Sequence, residues 1–367
     1  IVLHGAEGHD HELEISGCYN SDYVEITAAT LHEPVLRNVH FRGSAYWRID
    51  RLTLLREDGG AMIRAEDHDW QGECHHLELV NNHMTSGELV TLQDYVDRAS
   101  TGVQLIHEPE SVVVQCNTML RVAQGVTAMG DHIEVLDNRI ELFSRDGIAQ
   151  GGHHNRFLRN TILDAVFIDD GHHDDFFQSH MGADPDTSSD VEIAYNVFLN
   201  RYTDDQPAET WSATQCLSAF EDGPKTDIRV YNNVCKTDHY HGITWVDTDD
   251  SLFVNNTVIG GTTLPGLPVG SADWPEHTWI NIDGQNNVVR NNLTTMMATG
   301  GDHNLEIEAI DLASTFADFD SYDLRLVAGA AAIDAGEPAE APVDDVRGEL
   351  RDGSPDIGAY EFVGGLD

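Results

Sequence analysis

The chain has 367 residues, with 64 Asp and Glu against 20 Lys and Arg, and a formal net charge of −44 at pH 7. Such a charge repels phosphate backbones and anionic membrane surfaces, which excludes nucleic acid as a partner. No apolar run approaches the roughly 18 residues of a spanning helix, which excludes a membrane-spanning protein. Acids are spread along the whole chain and only Lys225 and Lys236 are lysines. We therefore expect a halophilic protein whose surface charge is screened by salt.

A repeat of the form apolar-x-x-Asn runs through the chain. The asparagines that end each repeat are Asn82, Asn117, Asn138, Asn160, Asn196, Asn233, Asn256 and Asn292, with Asn38 before them. The eight later ones are separated by 35, 21, 22, 36, 37, 23 and 36 residues. The shortest intervals are too short for a helix plus strands, so they indicate turns of a solenoid, some of which carry insertions.

In the segments between the asparagines, apolar and polar residues alternate and β-branched residues are frequent, as in 132–136 and 227–231. This pattern predicts short strands, each pairing with its equivalent about 4.8 Å away on the next coil. We predict that the asparagines are structural: they lie at tight bends, take a left-handed backbone conformation and bond to one another along the coils.

The repeated asparagine turns, the segment 144–148 and a tail comprising 322–326, 332–336 and 355–362 carry a family resemblance. Together they resemble the right-handed parallel β-helix superfamily of pectate-lyase-like proteins. The resemblance implies an all-β fold, a right-handed parallel β-helix of about ten coils with inserted loops. The β-helix is expected over residues 1–310, and an irregular closing segment packed on it over 311–367. The resemblance also implies a secreted enzyme that degrades polysaccharides, most often a lyase.

The long intervals predict inserted loops at 83–116, 161–195, 197–232 and 257–291, and the second contains a dense polar cluster at 169–180. Histidines are concentrated there, and histidine can supply bases, metal ligands or hydrogen bonds to sugars. Alignment of the coils by their asparagines places 150–154 one coil before this cluster and Asp222 one coil after it. These residues are therefore predicted to line one groove.

A lyase acting on a uronate polymer needs a base, a group that neutralises the sugar carboxylate, and an acid for the leaving oxygen. The group that neutralises the sugar carboxylate could be Arg145, Arg201 or a calcium ion, which prefers oxygen ligands. The candidate catalytic residues are His172, His173, His180, Asp170, Asp174, Lys236 and Tyr240. The candidate calcium ligands are Asp169, Asp170 and Asp222. The candidate substrate-binding residues are Gln150, His153, His154, Arg145, Asp175, Gln178, His239, His241 and Trp245.

Two other functions stay open beside this favoured one. A glycoside hydrolase would use paired carboxylates, for which Asp169 and Asp170 are the candidates. A non-catalytic glycan-binding solenoid or adhesin would use tryptophans as sugar platforms, among them Trp245 and Trp279. A zinc site at the histidines ranks below calcium, because the spacing matches no zinc motif.

Five cysteines occur without a CxxC pair. We interpret Cys116 and Cys235 as small buried residues and leave a bridge between Cys18 and Cys74 open. The sequence does not determine the oligomeric state.

Overall fold

The computed structural model describes residues 1–4, 11–30, 34–168, 173–179, 187–200, 202, 214–220, 223–237, 239–260 and 278–364. They form two compact units. The first unit is built on residues 1–188, and the second on 189–202 and 214–364.

The first unit consists of short strands and one helix. In chain order these are β1 (Val2–Leu3), β2 (Glu12–Ser16), β3 (Tyr19–Ala28), β4 (Val35–Leu36), β5 (Asn38–Arg42), β6 (Ala45–Asp50), β7 (Thr53–Leu55), β8 (Ala61–Glu66), β9 (His75–Val80), β10 (His83–Thr85), α1 (Leu92–Arg98), β11 (Thr101–Ile106), β12 (Glu110–Gln115), β13 (Thr118–Leu120), β14 (Val126–Met129), β15 (Glu134–Leu136), β16 (Arg139–Phe143), β17 (Asp146–Gly151), β18 (Arg156–Leu158), β19 (Thr161–Ala165) and β20 (Asp175–Ser179).

These strands form three parallel sheets because every third strand pairs with its equivalent on the next coil. Sheet 1A has the order β1-β3-β6-β9-β12-β15-β18, sheet 1B the order β2-β5-β8-β11-β14-β17-β20, and sheet 1C the order β4-β7-β10-β13-β16-β19. In sheet 1B, Val103 pairs with Val126 and Val126 with Ile148. All three side chains lie in the core. One stacked column of apolar side chains therefore fills the lumen along the coils.

The second unit continues with the elements β21 (Ser188–Ala194), β22 (Val197–Leu199), β23 (Gln215–Ala219), β24 (Lys225–Tyr231), β25 (Val234–Lys236), β26 (His241–Trp245), β27 (Thr248–Asp249), β28 (Leu252–Val254), β29 (Thr257–Ile259), β30 (Trp279–Ile282), β31 (Val288–Arg290), β32 (Leu293–Thr294), β33 (Met296–Met297), β34 (Leu305–Glu306), a 3-10 turn (Ala309–Asp311), α2 (Leu312–Thr315), β35 (Phe316–Asp318) and β36 (Asp323–Leu326).

Its parallel sheets repeat the same pattern of pairing. Sheet 2A has the order β21-β24-β28-β31, sheet 2B the order β23-β26-β30-β33, and sheet 2C the order β22-β25-β29-β32-β34. Among the described residues, sheets 1A and 1B have seven strands each, and sheets 2A and 2B have four each. Both units are right-handed parallel β-helices, so the predicted all-β fold is confirmed.

The predicted asparagine ladder is present in both units. In the first unit, the side-chain Nδ2 of Asn117 donates to Oδ1 of Asn138 over 3.0 Å, and the backbone N of Asn117 donates to the same oxygen over 2.9 Å. In the second, Asn233 makes the same two bonds to Asn256 over 3.0 and 3.1 Å. All four side chains are buried. The ladder therefore satisfies buried amides at the same corner of successive coils.

Three details of the ladder differ from the prediction. Asn38 lies in β5 of sheet 1B, and the backbone N of Leu52 makes the bond to Asn82 instead. Asn304, which the repeat did not reveal, extends the ladder past Asn292. The left-handed backbone belongs to the residue before each ladder asparagine and not to the asparagine itself, as at Arg159 with φ of 56°. The ladder asparagine needs its side chain inside the coil, so its neighbour makes the bend.

The cysteine interpretation is wrong for two residues. Cys235 forms a disulfide with Cys216, with Cα atoms 6.5 Å apart, and Cys116 is exposed. Cys18 and Cys74 are both free. Their strands lie on either side of a third strand, where Ala45 pairs with His75 on one side. This intervening strand keeps the two cysteines too far apart for a bridge.

The closing segment packs on the second unit through an apolar cluster. Phe316, Phe319, Leu324 and Ile357 lie in one core with Leu293 of β32. β35 and β36 pair antiparallel within this segment. The segment therefore covers the side of sheet 2C. In the part of the chain that the structure describes, no helix is both long and apolar enough to cross a membrane.

Candidate functional site

Two buried aspartates lie at the amino ends of β17 and β20, which are neighbouring strands of sheet 1B. Asp146 begins β17, Asp175 begins β20, and the two residues are register partners. Asp175 is fully buried and Asp146 is 6% exposed. Neighbouring parallel strands lie about 4.8 Å apart, so the backbone holds the two carboxyl groups side by side.

His173 lies two residues before Asp175, the first residue of β20, and contacts it. Its Nδ1 lies 2.5 Å from Oδ2 of Asp175. The imidazole side chain is 53% exposed, whereas the carboxyl group is completely buried. A carboxylate in this position fixes the ring orientation and favours the tautomer with hydrogen on Nδ1. The arrangement is that of an oriented general base at the surface of the coil.

Polar side chains on the preceding coil extend this group. Nε2 of Gln124 donates to Oδ2 of Asp146 over 3.1 Å, and the Thr127 hydroxyl donates to Oε1 of Gln124 over 3.2 Å. Ala149 and Gln178 pair in the same sheet, and Gln178 is 6% exposed. Arg145, beside Asp146, is exposed. We call Gln124, Arg145, Asp146, His173 and Asp175 the His173 site.

The structure does not bring His153 and His154 to this site. They follow the carboxyl end of β17, whereas Asp146 stands at its amino end, about 16 Å away at 3.3 Å per residue. The backbone N of His153 donates to Asp131 over 2.8 Å, and the exposed ring of His154 stacks on His132 with centroids 4.7 Å apart. Strand direction therefore separates residues that the coil alignment had grouped.

Three predicted site residues lie in packed environments that do not suit those roles. Gln150 is fully buried and its Nε2 donates to the Ser179 hydroxyl over 2.5 Å. Trp245 is fully buried and packs on Phe253, with centroids 6.0 Å apart. Neither side chain can contact a polysaccharide, because each points into the lumen.

Lys236 is the third of these residues. Its Nζ donates to the carbonyl of Phe319 over 2.6 Å and lies 3.7 Å from the ring centroid of Tyr322. The side chain is 7% exposed under the closing segment. This position does not suit a base in a groove, because the ammonium is buried and already contacts a carbonyl oxygen and an aromatic ring.

The residues His239, Tyr240 and His241 form a separate aromatic group in the second unit. His241 and Trp279 are register partners in sheet 2B, and their ring centroids are 5.3 Å apart. Nδ1 of His241 lies 2.8 Å from the Thr244 hydroxyl. Tyr240 lies 4.0 Å from His241 and 4.9 Å from Trp279 between centroids. We call these five residues, His239, Tyr240, His241, Thr244 and Trp279, the aromatic group.

Several predicted residues lie outside the described part of the chain, namely Asp169, Asp170, His172, His180, Asp222 and Arg201. The predicted calcium ligands are all among them. Within the described ranges, no group of three or more His, Cys, Asp or Glu side chains is placed to hold a metal ion. Asp174 is described and 4% exposed. The described residues therefore do not fit a calcium site by themselves.

Sequence reasoning missed Gln124 and Asp146. A signal existed: Asp146 and Asp175 each precede a pair of residues that enters the core, at Gly147–Ile148 and Phe176–Phe177. Alignment by these core positions, instead of by the asparagines alone, brings the two aspartates into register.

No protein-family model matches the chain, and no curated protein matches it. Among solved structures, pectate lyase Pel9A is similar over 98% of this chain and 86% of its own, with a TM-score of 0.53 and 14% identity. The Dettilon tailspike protein has a TM-score of 0.36 at 12% identity, over 70% of this chain and 55% of its own. A GH87 alpha-1,3-glucanase from Streptomyces thermodiastaticus strain HF3-3 has a TM-score of 0.34 at 14% identity, over 83% of this chain and 64% of its own. The likeness to Pel9A shows the fold.

Proposed function

We propose that this protein degrades a uronate-containing polysaccharide by β-elimination at the His173 site. The observation that carries the proposal is the 2.5 Å contact between Nδ1 of the half-exposed His173 and the buried Asp175. An imidazole oriented in this way exchanges protons through Nε2. Pectate lyase Pel9A has this fold, and by that fold-level analogy we take lyase chemistry as the first candidate.

In the proposed reaction, Nε2 of His173 takes the proton from C5 of the uronate. The C5–H electrons form the C4=C5 double bond, and the C4–O bond breaks with its electrons on the leaving oxygen. The imidazolium then returns its proton to that oxygen, which balances the reaction without an oxidant or a water molecule. Asp175 stabilises the imidazolium, because a buried carboxylate attracts the charge that develops on the ring.

The neighbouring charges complete the proposed roles. Arg145 is exposed and precedes Asp146, and we assign to it the pairing with the uronate carboxylate. Guanidinium binds carboxylate through two parallel hydrogen bonds, which acidifies the C5 proton by withdrawing charge. The 3.1 Å hydrogen bond between Gln124 and Asp146 holds the amino end of β17 in place.

Hydrolysis is the second candidate, favoured by one observation. Asp146 and Asp175 are buried register partners on adjacent strands. That strand spacing is close to the roughly 5 to 5.5 Å between carboxyl groups of retaining glycosidases. In this reaction one carboxylate attacks the anomeric carbon and the other protonates the leaving oxygen.

The two chemistries are separated by one experiment on a panel of uronate and neutral polysaccharides in high salt. A lyase produces ultraviolet absorbance from the new double bond together with new reducing ends, whereas a hydrolase produces reducing ends alone. His173→Ala is expected to abolish the absorbance signal, with His154→Ala as the matched control on the preceding coil. Reducing ends without absorbance would overturn β-elimination. No product from any polymer would move the proposal to a non-catalytic glycan-binding solenoid.

The proposal implies a protein that works outside the cell at high salt. The net charge of −44 favours a saline medium, where screening within about 8 to 10 Å lowers the repulsion of an anionic polymer. The Cys216–Cys235 disulfide fits an oxidising compartment. Calcium remains part of the proposal only through Asp169, Asp170 and Asp222, and is tested by the same assay with a chelator.

A further inference from the structure

Two adjacent histidines of the first unit turn their imidazole rings toward each other. His75 begins β9, and His76 follows it. Neighbouring residues of a strand normally point to opposite faces. His76 has a φ of 54°, in the left-handed region, so the chain bends there and both rings lie on the same side. Their Nδ1 atoms are 2.8 Å apart, and both side chains are partly exposed. We call these two residues the histidine pair.

Neighbouring coils hold the two rings in place. The His76 ring stacks on Tyr46 with centroids 4.6 Å apart, and the His75 ring meets Tyr46 edge to face at 5.8 Å. The ring of Tyr19 lies 6.1 Å from that of His75. The backbone N of His75 donates to the carbonyl of Ser44 over 3.1 Å. A ligand of the histidine pair therefore meets side chains that are already ordered, which favours binding.

The contact between the two Nδ1 atoms has room for one hydrogen atom only. A neutral imidazole carries hydrogen on one nitrogen and a lone pair on the other. One Nδ1–H of the histidine pair therefore donates to the lone pair of the second Nδ1. When the donor ring carries its hydrogen on Nε2 instead, both Nδ1 lone pairs face the same point and the net charge is unchanged. A single neutral hydrogen bond stabilises weakly, so a stronger ligand can replace it.

Two lone pairs at this separation match the geometry of a transition-metal ion. Bonds from a metal to histidine nitrogen are about 2.0 to 2.1 Å long. Two such bonds at a right angle place the nitrogen atoms about 2.8 to 3.0 Å apart, whereas a tetrahedral angle places them about 3.3 to 3.4 Å apart. The observed 2.8 Å fits the right angle. Square-planar and tetragonal sites are typical of Cu²⁺ and Ni²⁺, and Cu²⁺ binds more tightly.

The surroundings of the histidine pair favour a cation. Glu73 is exposed two residues before His75, and the backbone N of Cys74 donates to Oδ1 of Asp67 over 2.6 Å. The net charge of −44 raises the local concentration of cations further. Cys74 itself is fully buried, and burial raises the pKa of its thiol to about 12. A protonated thiol inside the coil does not compete with the imidazoles as a ligand.

We propose that the histidine pair is a copper site, in which Nδ1 of His75 and Nδ1 of His76 hold one Cu²⁺ at a right angle. Water fills the other positions, since the described residues contain no group of three His, Cys, Asp or Glu side chains placed around a metal ion. The site lies on sheet 1A, whereas the His173 site lies on sheet 1B. The inference is therefore independent of the proposed function.

The test is a titration of the full chain with Cu²⁺ alone, monitored by calorimetry and electron paramagnetic resonance. The chain has 20 histidines, so the tightest bound ion is the informative one. In the parent chain this ion is expected to give a tetragonal spectrum with two nitrogen ligands. His75→Ala and His76→Asn are each expected to weaken its binding about tenfold or more. Asparagine is chosen at position 76 because it tolerates the left-handed backbone.

His132→Ala is the matched control. His132 is an exposed histidine of the same unit that also has a left-handed backbone, with a φ of 56°. Its loss is expected to change the affinity for the tightest ion less than about twofold. Circular dichroism checks that each variant is folded.

Two outcomes would overturn the inference. In the first, both His75→Ala and His76→Asn bind the tightest Cu²⁺ within about twofold of the parent chain, and the histidine pair is then a hydrogen bond only. In the second, the spectrum of the parent chain shows no ion with two nitrogen ligands. A Zn²⁺ affinity equal to that for Cu²⁺ would contradict the right-angle geometry.

Discussion

The His173 site and the aromatic group use the same residue type in different ways. In the first unit, His173 precedes a strand of sheet 1B and contacts the buried carboxylate of Asp175. In the second unit, His241 begins a strand of sheet 2B and contacts the hydroxyl of Thr244 and the indole of Trp279. The described contact of His173 is with a carboxyl group, whereas those of the His241 ring include a hydroxyl and an indole.

The partner therefore decides what each histidine can do. A buried carboxylate stabilises the imidazolium, so His173 can accept and return a proton. The described contacts of His241 are instead with a hydroxyl and an indole N–H, and the rings around it offer apolar faces and hydrogen bonds. We expect chemistry in the first unit and contact with sugar in the second.

The largest expected effect is on turnover. His173→Ala is expected to lower kcat by about 10² to 10⁴, the usual contribution of a general base, whereas His241→Ala raises KM a few-fold at most. Steady-state kinetics on one uronate polymer measure both. Far-ultraviolet circular dichroism confirms that each variant is folded. Equal losses of kcat in the two variants would break the distinction between the histidines.

The second effect concerns the side chains that contact the two histidines. Asp175→Asn is expected to lower kcat by about a hundredfold or more, because the amide keeps the size and loses the charge that stabilises the imidazolium. Thr244→Val, its counterpart in the second unit, is expected to leave kcat unchanged. If Asp175→Asn retains full kcat with a normal melting temperature, the carboxylate acts only in packing.

The third effect is on stability and is expected to be equal in the two units. Asn117→Ala removes the partners of the Asn82 N–H and the Leu79 carbonyl, and Asn256→Ala removes those of the Asn233 N–H and the Val230 carbonyl. Each is expected to lower the free energy of unfolding by about 2 to 4 kcal/mol. Urea denaturation at constant high salt measures both. A much smaller loss in one unit would mean that its coils depend less on the ladder.

The smallest effect is the pH dependence that one residue of the second unit, Asp356, gives to the free energy of unfolding. Burial raises the pKa of Asp356 from 3.8 to about 6, and the side chain is 2% exposed. The folded form therefore prefers the protonated carboxyl, so this stabilisation is complete below about pH 4 and is lost as the pH rises to about 6. Thermal melting of the parent chain against Asp356→Asn isolates a contribution on the order of 2 kcal/mol. An unchanged slope in Asp356→Asn would contradict it.

Much of the fold was predictable because its cause is local and repeated. Each coil needs a buried amide at one corner, so Asn117, Asn138, Asn233 and Asn256 recur at intervals that reveal the solenoid. The ends of the ladder were not predictable in the same way. Leu52 takes a ladder position through its backbone N alone, which any residue other than proline can supply.

The candidate site was predictable only in part. His173 and Asp175 were among the predicted residues, but Asp146 was not, because its role comes from the register between β17 and β20. Trp245 was misjudged because a tryptophan in an alternating strand faces either the lumen or the solvent, and a shift by one residue reverses the face.

The sequence by itself determined the solenoid and the acidic surface, since these follow from periodicity and composition. Tertiary structure alone decided which distant residues meet. It set Asp146 beside Asp175, enclosed Lys236 under Phe319 and joined Cys216 to Cys235. The physical reason is that such contacts join residues on different strands or coils, and their geometry depends on register and strand direction, which no local pattern encodes.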